Sequence, residues 1–160
     1  MATERFEVQR EIAAKPAQLF ALLCDPRGHV SIDSSGMLQS ADGGPVTKVD
    51  DAFVVHMNRE ALNDFPMGKY DVRVLITHFE PDAAIEWTIS GIGSEPIGHL
   101  YGYRLEPSEA GTLVTSYYDW SRIGEDYRSK GIFPVIPESA LRATLGIIAR
   151  SVELSGPGLA

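Results

Sequence analysis

Leu141, Leu145, Ile148 and Val152 recur at steps of four, three and four, a spacing that stacks them on one face of an α-helix. The pattern predicts a dominant helix over residues 134–153 with that face buried. A second strip, Ala140, Ala143, Ile147 and Leu154, widens the apolar coverage beyond a single stripe, so the helix is expected to be gripped on more than one side. Pro137 suits a first helical turn, where its missing N–H costs nothing, and Glu138 complements the positive end of the helix dipole. Pro134 leaves two starts open: a helix from Pro134 bent at Pro137, or one from Pro137 after an ordered turn. Gly156, Pro157 and Gly158 end the pattern, so residues 155–160 read as a flexible tail.

Upstream, the period is two. Phe6, Val8, Arg10 and Ile12 alternate with Glu7, Gln9 and Glu11, which predicts a first strand with one buried face. Pro16 then opens a short helix carrying Leu19, Phe20, Leu22 and Leu23, which ends at Asp25-Pro26. Residues 27–35 hold a further helical turn, and an extended stretch follows over 37–40. Phe53, Val55 and Met57 form the next alternating set, followed by Tyr70, Val72, Val74 and Ile76, and then by Ile85, Trp87 and Ile89. His99, Tyr101, Tyr103 and Leu105 share one face of a further strand. The last strand, 112–121, carries large residues on both sides, so its phase stays open. Short turns such as Glu80-Pro81-Asp82 fit an antiparallel meander.

The order is one strand, two short helices, about six strands and one long helix, which predicts an α+β fold: a curved antiparallel sheet of about seven strands around the C-terminal helix, with the short helices closing one end. Residues 1–154 are expected to form a single domain. Ile12-Ala13-Ala14-Lys15-Pro16 with Leu19-Phe20, Leu23 and Asp25-Pro26, then Gly111-Thr112 leading to Asp119-Trp120-Ser121, and the proline-led final helix together resemble the START-like (SRPBCC) superfamily of Bet v 1 relatives and polyketide cyclase/dehydrase-type proteins. The resemblance spans nearly the whole chain. It implies the helix-grip fold and an internal cavity for an apolar or amphipathic ligand, and it says far more about fold than about function.

Composition narrows the chemistry. The 160 residues carry a formal net charge of -8, which repels phosphate backbones and anionic membrane surfaces, so nucleic acid is excluded as an expected partner. The sequence shows no apolar run of membrane-spanning length and no signal-peptide core, and a cytoplasmic location without membrane insertion is expected. Cys24 is the only cysteine and reads as a small buried hydrophobe. His29, His56, His78 and His99 are not paired at a metal-ligand spacing, the nucleophile elbow is absent, and Gly91-Ile92-Gly93-Ser94 lacks the context of a dinucleotide fingerprint. Neither a metal nor a cofactor is expected.

His99, Tyr101 and Tyr103 are the most informative polar set, because period-two spacing points them inward with Leu105. Such rings can hydrogen-bond a ligand's oxygen atoms, and a histidine there can move protons near neutral pH; packed volume with a satisfied core histidine is the competing reading. Asp33 follows the second short helix, where a cap or turn hydrogen bond is its ordinary job, and Asp119 in the last strand is expected either to act on a ligand or to pair with an arginine such as Arg104. Residues 58–69 place Leu62, Phe65 and Met67 in a stretch too rich in Asn, Asp, Pro and Gly for a strand; they form either a gate over a cavity mouth or an ordinary loop folded on the core. Arg59 and Lys69 flank it, as solvated charges or as attractors of an anionic head group.

The expected cavity lies between the final helix and the sheet, lined by Val72, Trp87, His99, Tyr101, Tyr103, Leu141, Thr144, Leu145 and Ile148. Thr144, Ser151 and Gly146 on the helix support it, since a helix built only to fill a core would carry bulk there; close backbone approach is the alternative for Thr144 and Gly146. The first functional reading is a binding protein for a small hydrophobic or aromatic ligand, lipid-like or polyketide-like, as a monomer or homodimer. The second is an aromatase/cyclase-type enzyme with His99, Asp119 or Arg59 steering protons, and the third is a protein-interaction module.

Overall fold

The structure, a computed structural model, describes residues 3–154, so the expected tail at 155–160 lies outside the described residues. The alternating segments pair into one seven-stranded sheet in the order β1-β7-β6-β5-β4-β3-β2. Its strands are β1 (Arg5–Ile12), β2 (Leu38–Asp42), β3 (Ala52–Asn58), β4 (Lys69–Glu80), β5 (Ala84–Gly91), β6 (Leu100–Ser108) and β7 (Gly111–Asp119). Every pairing is antiparallel. The first two strands occupy opposite edges, and two helices, α1 (Pro16–Cys24) and α2 (Pro26–Ile32), bridge them. Pro16 and Pro26 sit in the first turns of these helices, and the Asp25 carboxylate accepts from the Arg27 N–H as the cap of α2. A Cβ at Gly28 would lie 2.0 Å from the Leu22 carbonyl oxygen, so only glycine lets α2 fold back this closely on α1.

The final helix, α4, runs Glu138–Leu154. Residues 134–137 precede it, which removes the start at Pro134: the Pro137 carbonyl accepts the Ala140 N–H as the first turn forms. Leu141, Leu145, Ile148 and Val152 are buried as their spacing predicts. The second strip is less buried over Ala140, Ala143 and Ile147, and the side chain of Leu154 lies outside the described ones. Ala143 is exposed and Ile147 half-buried, whereas Ala149 is buried beside the main stripe, so the helix is held along one broad face and not on several sides. Between β7 and this helix lies a short helix, α3 (Glu125–Ser129), that the apolar pattern does not announce.

The phase of β7 is settled by its neighbours. Tyr118 faces inward opposite Phe6 and Tyr101, and Ser116 lies opposite Val8 and Tyr103. Tyr117 therefore points outward, yet it is buried: the Arg5 and Arg104 guanidinium groups lie 4.5 and 5.5 Å from its ring centre, and its hydroxyl donates to Glu86 at 2.8 Å. Its ring covers Gly102, where a Cβ would come within 2.3 Å of it. The two large faces of β7 are thus both explained, one by the core and one by a charged lattice on the outer surface.

A two-lobed cavity as candidate functional site

The sheet's inner face and α4 do not close completely. A cavity of about 130 Å³ is walled by Val55, Val72, Val74, Trp87, Ile89, Tyr101 and Tyr103 from the strands, by His29, Ile32 and Asp33 at the end of α2, and by Leu141 and Thr144 from α4. A second lobe of about 150 Å³ adjoins it, bounded by Arg59, Tyr70, Ile97, His99, Tyr127, Phe133 and Val135. Met37, Met57, Val72, Ile89 and Tyr101 are walls of both. A larger hollow of about 490 Å³ lies against Glu60, Asn63, Asp64, Phe65, Pro66 and Gly68, but these all belong to one surface loop and converge on nothing.

The first lobe is a stack of rings. Trp87 lies 5.9 Å from Tyr103 and 6.3 Å from Tyr101 between near-parallel planes, and Tyr101 stacks on Tyr118 at 4.3 Å. His29 closes the other side of Trp87 at 4.6 Å. Its Nε2–H donates to the Leu23 carbonyl at 2.7 Å, and complete burial pushes its pKa down to about 4, so the ring is neutral and acts as a wall. Thr144 donates to the Ser34 hydroxyl at 3.0 Å, and Ser34 donates in turn to the Ala140 carbonyl at 2.8 Å. Thr144 thus lines the lobe with its hydroxyl turned toward α2 rather than into empty space. The Asp33 carboxylate is saturated: it accepts from the Ser35 N–H and hydroxyl and from the Gly36 and Leu38 N–H groups, the turn role expected of it.

Of the residues proposed from sequence, Val72, Trp87, Tyr101, Tyr103, Leu141 and Thr144 meet at the first lobe and His99 at the second. Leu145 and Ile148 do not line either lobe; each is only 1% exposed and belongs to the solid core farther along α4. Gly146 does not face the cavity either: a Cβ added there would meet the Arg10 guanidinium of β1 at 3.6 Å, an ordinary contact, so close backbone approach does not explain this glycine. The Ser151 hydroxyl donates to the Ile147 carbonyl within its own helix.

The three acid–base candidates are not brought together. Asp119 lies on the sheet's outer face, where it accepts from Arg5 at 3.2 Å and from the Ser121 N–H and hydroxyl; its arginine partner is Arg5 and not Arg104, which binds Glu7 instead. His99 is 3% exposed, packed against Tyr101, Tyr118 and Phe133, and burial lowers its pKa to about 4, which removes the expected proton shuttle near neutral pH. Its Nδ1 has no hydrogen-bond partner among the described residues. Arg59 is not a solvated charge: it is 4% exposed, with Nε and Nη2 donating to Asp64 at 2.9 and 2.8 Å. Lys69 stays exposed.

In the loop, Leu62 is half-buried against the core, while Phe65 and Met67 are 38% and 47% exposed. Met67 forms part of the wall of the second lobe. His29, Tyr118, Met37 and Ile136 are parts of this region that the hydrophobic pattern does not announce. Tyr118 was hidden by the ambiguous phase of β7, and the other three lie in turns or short helices with no usable period.

No family model matches the chain. The chain is 30% identical over 116 residues to Rv0088, an uncharacterised protein of Mycobacterium tuberculosis, a match covering 71% of this chain and 46% of that protein. It thus spans about half the length of the curated relatives it matches. Solved structures similar to it include a Polyketide_cyc-like protein, Cgl2372 of Corynebacterium glutamicum, at 22% identity and a TM-score of 0.57, covering 96% of this chain and 94% of the other. The AHSA1-like protein of Aeromonas hydrophila superposes with a TM-score of 0.60 at 14% identity, covering 98% and 95% of the two chains. DynU16, from the dynemicin biosynthetic locus, gives a TM-score of 0.61 at 18% identity, covering 98% of this chain and 49% of DynU16. The sheet order, the bridging helices and the long helix across the inner face give this chain the helix-grip fold that it shares with these structural neighbours.

Proposed function

We propose that the protein binds a small apolar, ring-bearing ligand in the two-lobed cavity beneath α4. The observation that carries this reading is that Trp87, Tyr101 and Tyr103, stacked beside one another, are all walls of the unfilled apolar first lobe. Aromatic faces at this spacing favour a flat guest, and the nearly continuous apolar lining favours one without much polar surface. Size narrows the class further. An apolar void of roughly 150 Å³ holds a benzene-sized molecule. Each lobe is of that order, so the pair suits a molecule of one or two rings, and a whole lipid tail or a long polyketide chain needs more room than these walls leave. The cyclase-type alternative draws no support from the acid–base candidates, because Asp119 is outside, His99 is a very weak base and Arg59 is tied to Asp64.

Calorimetric titration with indole, a neutral two-ring probe, tests the reading. Saturable binding is expected, and Thr144→Leu, which puts bulk into the first lobe, should weaken it by about fivefold or more, roughly 1 kcal/mol. Absence of saturable binding, or equal affinity in a folded Thr144→Leu variant, overturns it.

A further inference from the structure

Arg59 is a buried cation on the wall of an apolar lobe. Its side chain is 4% exposed, whereas that of its partner Asp64 is 32% exposed. Asp64 therefore holds the guanidinium from the solvent side, while the cavity lies on the other. Asp64 takes two of the five N–H donors of the guanidinium's planar fork and the Tyr70 hydroxyl is a further hydrogen-bond partner, so donors remain for an anion. The surroundings of those donors belong to the lobe: the Tyr70 hydroxyl interacts with Arg59, and the Arg59 charge acts on the hydroxyls of Tyr101 and Tyr118 as well. Tyr70 and Tyr101 are both walls of the lobe. The histidine in this wall, His99, is neutral and adds no competing positive charge.

Asp64 also belongs to the loop that leaves Phe65 and Met67 in solvent, with the Phe65 ring 5.7 Å from the Arg59 guanidinium. A purely structural ion pair would need neither an apolar chamber behind the arginine nor large apolar side chains beside it in water. An amphipathic guest explains both. Such a guest would fill the lobe with its rings and reach the spare donors of Arg59 with its carboxylate, beside Met67 in the lobe wall.

Resting on the ligand-binding reading above, we propose that the second lobe is an anion subsite: the ligand is a small aromatic carboxylate whose head group docks on Arg59, with Asp64 as the resident carboxylate against which it competes. Asp64 lowers the affinity for an anion by neutralising Arg59 beforehand, and it keeps the guanidinium satisfied when the cavity is empty.

The test compares 2-naphthoate with its neutral isostere 2-naphthamide by calorimetry, on the parent protein, Asp64→Asn and Arg59→Met. The parent should prefer the carboxylate. Asp64→Asn should strengthen naphthoate binding by about ten- to a hundredfold, the worth of a charge-assisted hydrogen bond freed from its competitor, and leave naphthamide unchanged. Arg59→Met should abolish the preference while keeping the amide bound. Because Asp64 lies on an exposed loop, Asp64→Asn is expected to stay folded, and the parent's own preference gives a readout that needs no variant at all. If the amide binds the parent as tightly as the carboxylate and Asp64→Asn changes neither, the anion subsite is overturned and the cavity reading stands. If neither compound binds any of the three proteins, both are overturned.

Discussion

His29 and His99 are held neutral by burial, each with a pKa lowered from 6.5 to about 4, and this makes stability depend on pH. A histidine whose folded pKa is depressed contributes stability that is fully present above pH 6.5 and is lost as the pH falls towards 4, because the unfolded chain takes up the proton first. A shift of this size is worth roughly 3 kcal/mol per group at full extent. Denaturant melts of the parent should therefore weaken between pH 6.5 and 4, and His99→Met should remove part of that slope. Because Nδ1 of His99 is unpartnered, the substitution should also cost little at pH 7. An unchanged slope in His99→Met would assign the acid lability elsewhere. His56 works in the opposite sense: Asp71 and then Asp42, at 2.7 and 2.8 Å from its two ring nitrogens, raise its pKa, so its contribution is present below its unfolded pKa and fades as pH rises through the folded one. The orientation of single polar residues was the least legible feature of the sequence. Arg59 reads as a loop charge, and its burial is decided by Tyr70, Asp64 and the lobe behind it. Asp119 finds Arg5 across 114 residues of chain, a partner that only the pairing of β1 with β7 supplies.

Elements were legible where their period ran long enough. The alternation of Phe53, Val55 and Met57, or of Val72, Val74 and Ile76, fixes both the strand and its buried face, and the structure buries all six. Short elements carry too few repeats for this: α3 has five residues and no buried one, and the start of α4 depends on how residues 134–137 pack against Tyr118, whose hydroxyl accepts the Val135 N–H at 3.0 Å. The main stripe of α4 is the strongest stabilising feature of that element. Leu145 is 1% exposed, and Leu145→Ala should cost about 2–5 kcal/mol, measured as a shift in the urea midpoint at constant slope. A loss below about 1 kcal/mol would contradict the packing of that face. Gly102→Ala should also destabilise, by about 1–3 kcal/mol, because its methyl group must displace the Tyr117 ring and disturb its contacts with the Arg5 and Arg104 guanidinium groups. A neutral result would show that Tyr117 moves aside freely and that the outer lattice contributes little.

At the scale of the whole molecule, the question is whether the space under α4 is a cost or a function. An unfilled apolar void forfeits dispersion contacts on its lining, so filling it with a side chain should stabilise the empty protein, whereas adding the same bulk to a solid core should strain it. Val72 is the position that separates the cases, since it is a wall of both lobes. Val72→Phe adds less volume than either lobe contains. Its melting temperature without ligand should equal or exceed that of the parent, and indole should no longer raise it. In the parent, indole at about ten times its dissociation constant should contribute roughly 1.4 kcal/mol, a rise of about 3–6 °C for a protein of this size. The two measurements constrain each other. A destabilised Val72→Phe with an intact indole shift would place the guest elsewhere and leave Val72 in a solid core. A stabilised Val72→Phe without the shift would show that the same volume holds either a phenyl group or the ligand, so that the stability sacrificed by the open cavity is what permits binding.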